Sequence, residues 1–90
     1  MTLEELKQTL CDQGHEDSVV LENPDYSSAV IGVTNDGNVV YSYPLMVESL
    51  VKEDGMTEEE AMEFIDYNTI RALPYMGDLH PIVFHPLEEY

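Results

Sequence analysis

"SAVIGVTNDGNVVYSY", Ser28 to Tyr43, decides the fold. Two runs rich in β-branched and aromatic residues flank Asp36-Gly37. That dipeptide favours a tight hairpin because it tolerates the positive φ such turns require. With a two-residue loop, Thr34 faces Val39, Val33 faces Val40 and Gly32 faces Tyr41. Alternation then puts Ala29, Ile31, Val33 and Val40 on one sheet face, and Val30, Val39, Tyr41 and Tyr43 on the other. One face should pack on helices, and the aromatic one should stay partly covered.

Helical patterns surround the hairpin. "TLEE" at Thr2–Glu5 is a capping box, in which the threonine caps and the glutamate reaches back. Leu3, Leu6 and Leu10 follow at helical spacing, so a helix is expected over about Thr2–Gln13, stopped by Gly14. "SVVL" (Ser18–Leu21) is a short β-like run. After the hairpin, Ser42 can cap and Pro44 suits a first turn. Met46, Val47, Leu50 and Val51 form an inner stripe, and Gly55 can close the helix. Thr57 and Glu60 make a second capping box, with Met56 placed as a staple against Ala61. This last helix should end near Leu73, because Pro74 disfavours α-helical backbone before it. "PIVFH" (Pro81–His85) reads as a short final strand. The expected fold class is α+β, one domain over residues 1–90: a small antiparallel β-sheet, the central hairpin 28–43, covered by an N-terminal helix and two central helices.

Charge is the dominant compositional feature. Nineteen acids face three bases, Lys7, Lys52 and Arg71, for a formal net charge of −16. Such a surface repels nucleic acid and anionic lipid, and is drawn to basic protein surfaces, many of which hold nucleic acid. No apolar run approaches the ~20 residues of a membrane span. Cys11 is the only cysteine and cannot form an internal disulfide. Both observations point to a cytoplasmic protein.

The residues carry little catalytic signature, and no catalytic residue, cofactor or metal site is expected. His80 and His85 in "HPIVFHP" lack the i,i+2 or i,i+4 spacing of paired ligands on one element. "TNDGNVVY" and "KEDGMTEE" do not place a glutamate where a calcium loop needs one. Cys11 and His15 are four apart, but Gly14 lies between them, and the cysteine neighbours the leucine stripe as a buried, inert thiol would.

The acidic helix is the stronger candidate. Glu59, Glu63 and Asp66 recur at i, i+4 and i+7, so their carboxylates share one face, about 4.5–6 Å apart along the axis. Glu48, Glu53, Asp54 and Glu58 extend this charge. By regular α-helical projection Ile70 falls among the acids, as an apolar anchor. The competing view is a solvated outer face. Asn68 projects inward with Ala61 and Ile65, and Arg71 projects to the flank near Phe64, Tyr67 and Glu60. Asn68, Arg71 and Pro74 therefore read as a structural lock, Asn68 tying down the following turn and Arg71 tethering acids. A small anionic ligand held by Asn68, Arg71, Tyr75 and Gly77 is the alternative.

The stretch from Ile31 to Val83, and "DGMTEEEA…DYNTIRALPYMG" (Asp54–Gly77) above all, resembles a family of short, uncharacterised acidic proteins of Gram-positive bacteria and their phages and mobile elements. The resemblance implies a compact intracellular domain and carries over no catalytic residue. In size and acidity, though not in any shared motif, the chain is also similar to anti-CRISPR and DNA-mimic inhibitors. The expectation is a non-enzymatic acidic module that docks on a basic, nucleic-acid-binding host protein. The alternative is an assembly domain, a homodimer through the Tyr41/Tyr43 face.

Overall fold

The computed structural model describes residues 1–87. The hairpin forms from β1 (Val30–Val33) and β2 (Val39–Ser42), antiparallel. Its loop has three residues rather than two. The Gly37 N–H donates to the Thr34 carbonyl at 3.0 Å, and the Thr34 N–H to the Asn38 carbonyl at 2.8 Å. This is a turn followed by a glycine at positive φ, +97° at Gly37, the usual three-residue closure. The longer loop shifts the register by one: Val33 faces Val39, Gly32 faces Val40, and after a bulge at Ile31, Val30 faces Tyr41.

A one-residue shift exchanges sheet faces. The shift puts Val33 beside Val39 in place of Val40, and the face that carries Val39 and Tyr41 is the core face. Val39 and Tyr41 are fully buried, while Val40 is half-buried and Ile31 is exposed. The Tyr41 hydroxyl accepts from the Leu21 N–H at 2.9 Å, and burial, against that bond, pushes its pKa up. Tyr41 is thus inside the core rather than on an open sheet face, while Tyr43 is half-buried.

Three helices surround the sheet: α1 (Leu3–Asp12), α2 (Tyr43–Asp54) and α3 (Glu58–Phe64). Both capping boxes are made, Thr2 with Glu5 and Thr57 with Glu60, each pair exchanging its two bonds. Leu6 and Leu10 of α1 are buried beside a short 3₁₀ turn (Ser27–Ala29) and β1; Cys11 points out and is exposed, contrary to the buried thiol expected. In α2 the inner stripe is as expected, with Met46, Val47 and Leu50 buried and Gly55 closing the helix at φ +68°. Ser42 makes no side-chain cap; Pro44 in the first turn starts the helix without one.

The sheet is α+β in context but mixed rather than wholly antiparallel. β3 (Ile82–Phe84) pairs parallel to β2, giving the order β1-β2-β3. A parallel neighbour needs a long crossover, and α2, α3 and the helical run after it supply one. No strand forms at Ser18–Leu21. That segment lies across the hairpin instead, held by Ser18 Oγ donating to the Gly37 carbonyl and by the Val19 N–H donating to the Leu79 carbonyl. The Asn38 side chain donates to the carbonyls of Asp78 and His80, at 3.0 and 2.9 Å, tying the hairpin to the approach of β3.

Candidate functional site

α3 begins where its sequence starts it. Glu58, Glu59 and Glu60 occupy the first turn, where the helix dipole favours acids. Two bonds from Thr57 hold the Glu60 carboxyl below its ordinary pKa. Ala61 and Ile65 are fully buried, so Glu59, Met62 and Glu63 face outward and are exposed.

The winding then changes. Ile65–Thr69 forms a π-helical turn, closed by the Ile70 N–H donating to the Ile65 carbonyl, and Ile70–Tyr75 continues as a 3₁₀-helix. A π turn carries an extra residue, so every later side chain is rotated away from its α-helical projection. Thr69, not Asn68, becomes the buried residue, and Ile70 packs half-buried against the core. Ile70 is therefore no anchor on the acidic face. Asn68 is exposed, and its side-chain amide donates to the Phe64 carbonyl at 3.2 Å, not to the turn after Pro74. Pro74 lies inside the 3₁₀ segment and does not end the helical run, which reaches Tyr75. The tighter 3₁₀ winding accommodates it, since that geometry does not require the α-helical bond its ring would block.

Arg71 is exposed and makes no ion pair among the described residues. Its guanidinium lies over the Tyr67 ring, 4.7 Å from the centroid. The tether to acids is thus replaced by a cation–π contact, of the kind worth ~0.5–1 kcal/mol at exposed sites. Arg71 stands on the flank with Phe64, Tyr67 and Glu60, where projection puts it. These four, with Met56, Glu63, Asp66 and Asn68, line a surface groove of about 730 Å³. Its lining combines apolar and aromatic side chains with three carboxylates. A smaller depression of about 420 Å³ continues from Tyr67, Asn68 and Arg71 past Ala72 to Tyr75. Gly77 takes no part in it. Met56, Glu60, Phe64 and Tyr67 were not marked as site residues by sequence; Phe64, Tyr67 and Arg71 at i, i+3 and i+7 are the pattern that could have found most of the groove.

The remaining acids divide into separate groups. Asp66 accepts from the Tyr43 hydroxyl at 3.2 Å, joining the start of α2 to the π turn; partial burial and then the Asp66 charge push the tyrosine up. Glu48 pairs with Lys52 at 2.6 Å, the bond that raises the lysine. Glu53 accepts from Ser49 Oγ at 3.2 Å. Glu53 and Asp54 line a different groove, of about 550 Å³, with Asp25 and Thr69. Glu58 and Glu59 line neither groove, and both are exposed. Among the described residues, no three His, Cys, Asp or Glu side chains are grouped to hold a metal ion, and no helix is long and apolar enough to cross a membrane.

The Tyr26 hydroxyl is enclosed and has no hydrogen-bond partner among the described residues. Burial raises its pKa; the neighbouring Thr69 hydroxyl opposes this without closing a bond.

Compared with known proteins, the chain matches no family model, no curated protein and no solved structure.

Proposed function

We propose that this chain is a non-enzymatic acidic protein-binding module that occupies the basic, nucleic-acid-binding surface of a host protein. In its most concrete form it is a phage or mobile-element inhibitor of the anti-CRISPR or anti-defence type. The observation that carries the reading is uncompensated charge. The chain has a net charge of −16, yet only two ion pairs form among the described residues, Lys7–Glu22 and Lys52–Glu48. Glu58, Glu59, Glu63 and Asp66 remain exposed on the α3 side. Opposite potentials steer association and raise its rate, which suits a competitor for a nucleic-acid site. An exposed, unpaired Cys11 suits a reducing compartment, so we place the module in the cytoplasm.

The test is affinity capture from a Gram-positive bacterial lysate at low and high salt, with mass spectrometry, followed by competition with duplex DNA. The expected result is a basic, nucleic-acid-binding protein released by salt and displaced by DNA, and lost when Glu59, Glu63 and Asp66 are all replaced by Lys. Undiminished capture by that triple variant, with its circular dichroism unchanged, overturns the reading.

A further inference from the structure

We propose that the groove between Met56 and the Glu60–Arg71 flank is the docking site for an amphipathic, arginine-bearing segment of the partner protein. The proposal rests on the acidic-module reading above and names the part of the partner that is recognised.

Four observations converge on this occupant. The groove is broad and open, about 730 Å³, which suits a segment lying along the surface rather than an enclosed small ligand. Among its lining residues Met56, Phe64 and Tyr67 offer apolar and aromatic carbon, and Glu60, Glu63 and Asp66 offer carboxylates. Aliphatic side chains fit the first, and cations the second. Arg71 already lies in this groove with its guanidinium on the Tyr67 ring, so a guanidinium is sterically and electronically suited to that position. Exposed aromatics continue the surface: Tyr67 is 68% exposed and Tyr75 90% exposed, and tyrosines and arginines are the residues that anchor interfaces.

Charge selects among occupants. A second copy of this chain would bring the same −16, and two of its three bases, Lys7 and Lys52, are already paired. A small anion would meet three carboxylates for one guanidinium. A basic amphipathic segment meets both complementary charge and apolar carbon in the same lining. The lining residues run from Glu60 to Arg71, about three helical turns, room for a partner helix of similar length. A partner arginine competes with Arg71 for the Tyr67 face, so Arg71 acts as a resident occupant that binding must displace.

The test is fluorescence anisotropy with a labelled peptide of about twelve residues, leucines on one helical face and arginines on the other. Its control is a scrambled peptide of identical composition. The wild-type protein is expected to bind the amphipathic peptide roughly tenfold more tightly, about 1.4 kcal/mol. Tyr67→Ser and Glu63→Lys should each remove most of that preference, Arg71→Gln should strengthen binding, and Glu58→Lys, outside the groove, should weaken both peptides alike. Equal affinity for the two peptides overturns the groove while leaving the acidic module standing, provided both bind in a salt-dependent way. Failure of both peptides to bind at low salt overturns both. Because the peptide comparison uses the wild-type chain, it does not depend on any variant folding.

Discussion

α1 and α3 begin identically and end differently. Each opens on a threonine that caps the third helical residue while a glutamate there bonds back to the threonine N–H. α1 then runs ten residues as a regular α-helix toward Gly14. α3 runs seven, widens into a π turn and tightens into a 3₁₀-helix. The start of a helix is a local matter, settled by two side chains and two backbone groups. Its winding further along is settled by what it packs against. α1 sets only Leu6 and Leu10 into the core, one turn apart, and ordinary winding serves. The α3 run must seat Ala61, Ile65, Thr69 and Ile70 inward while leaving Tyr67, Asn68 and Arg71 outside, and that spacing does not fit a uniform 3.6-residue period.

The comparison can be broken most severely at the hinge of the winding. Ile65→Ala should cost about 2–5 kcal/mol, as should Leu6→Ala in α1; urea unfolding measures both. Only the Ile65 variant should also disturb the Tyr67–Arg71 region, visible as shifted resonances there. Deleting Asn68 sharpens the point. It puts Thr69 and Ile70 at i+3 and i+4 from Ile65, the spacing of an α-helix. The expected outcome is a cooperatively folding protein with a smaller loss of Tm than Ile65→Ala; complete unfolding would show that the π turn serves more than the seating of Thr69 and Ile70.

Two buried tyrosines probe the packing on either side. Tyr41→Phe strands the Leu21 N–H and should cost about 1–3 kcal/mol, whereas Tyr26→Phe removes a hydroxyl that has no partner and should be neutral or stabilising. Thr2→Ala and Thr57→Ala should each cost about 1 kcal/mol, and similarly, since the two caps are alike.

The smallest effect is on pH dependence. Glu5 and Glu60 are both held below the ordinary glutamate value of 4.5 by bonds from Thr2 and Thr57, backbone first. A folded-state pKa below the unfolded one contributes stability that is complete above about pH 4.5 and lost as pH falls through the folded value. Site-resolved carbon NMR titration should show both glutamates titrating low. Their Gln variants should flatten the acid side of the stability profile slightly.

Much of the fold was legible because its signals are local. Asp36-Gly37, the two capping boxes, Pro44 and Gly55 each act through neighbours a few residues away, and each lies where its pattern put it. The loop length at Gly37 was not legible. The glycine fits either closure, and the longer one leaves it packed beside Ser18, His15 and Leu79, from distant parts of the chain. The candidate site was half legible. Arg71 beside Phe64, Tyr67 and Glu60 followed from spacing within the run, but Ile70 and Asn68 lie beyond the start of the π turn, and uniform winding puts both on the wrong side.

Composition by itself determined the charge, because no folding can neutralise nineteen acids with three bases. Local pattern determined where the helices start and where the hairpin turns. Tertiary structure alone decided which sheet face is the core, that β3 runs parallel to β2, and that Arg71 rests on Tyr67 at the edge of a groove. Those outcomes depend on register and winding. Each is set by the burial of side chains far apart in sequence, so a shift of one residue is enough to change it.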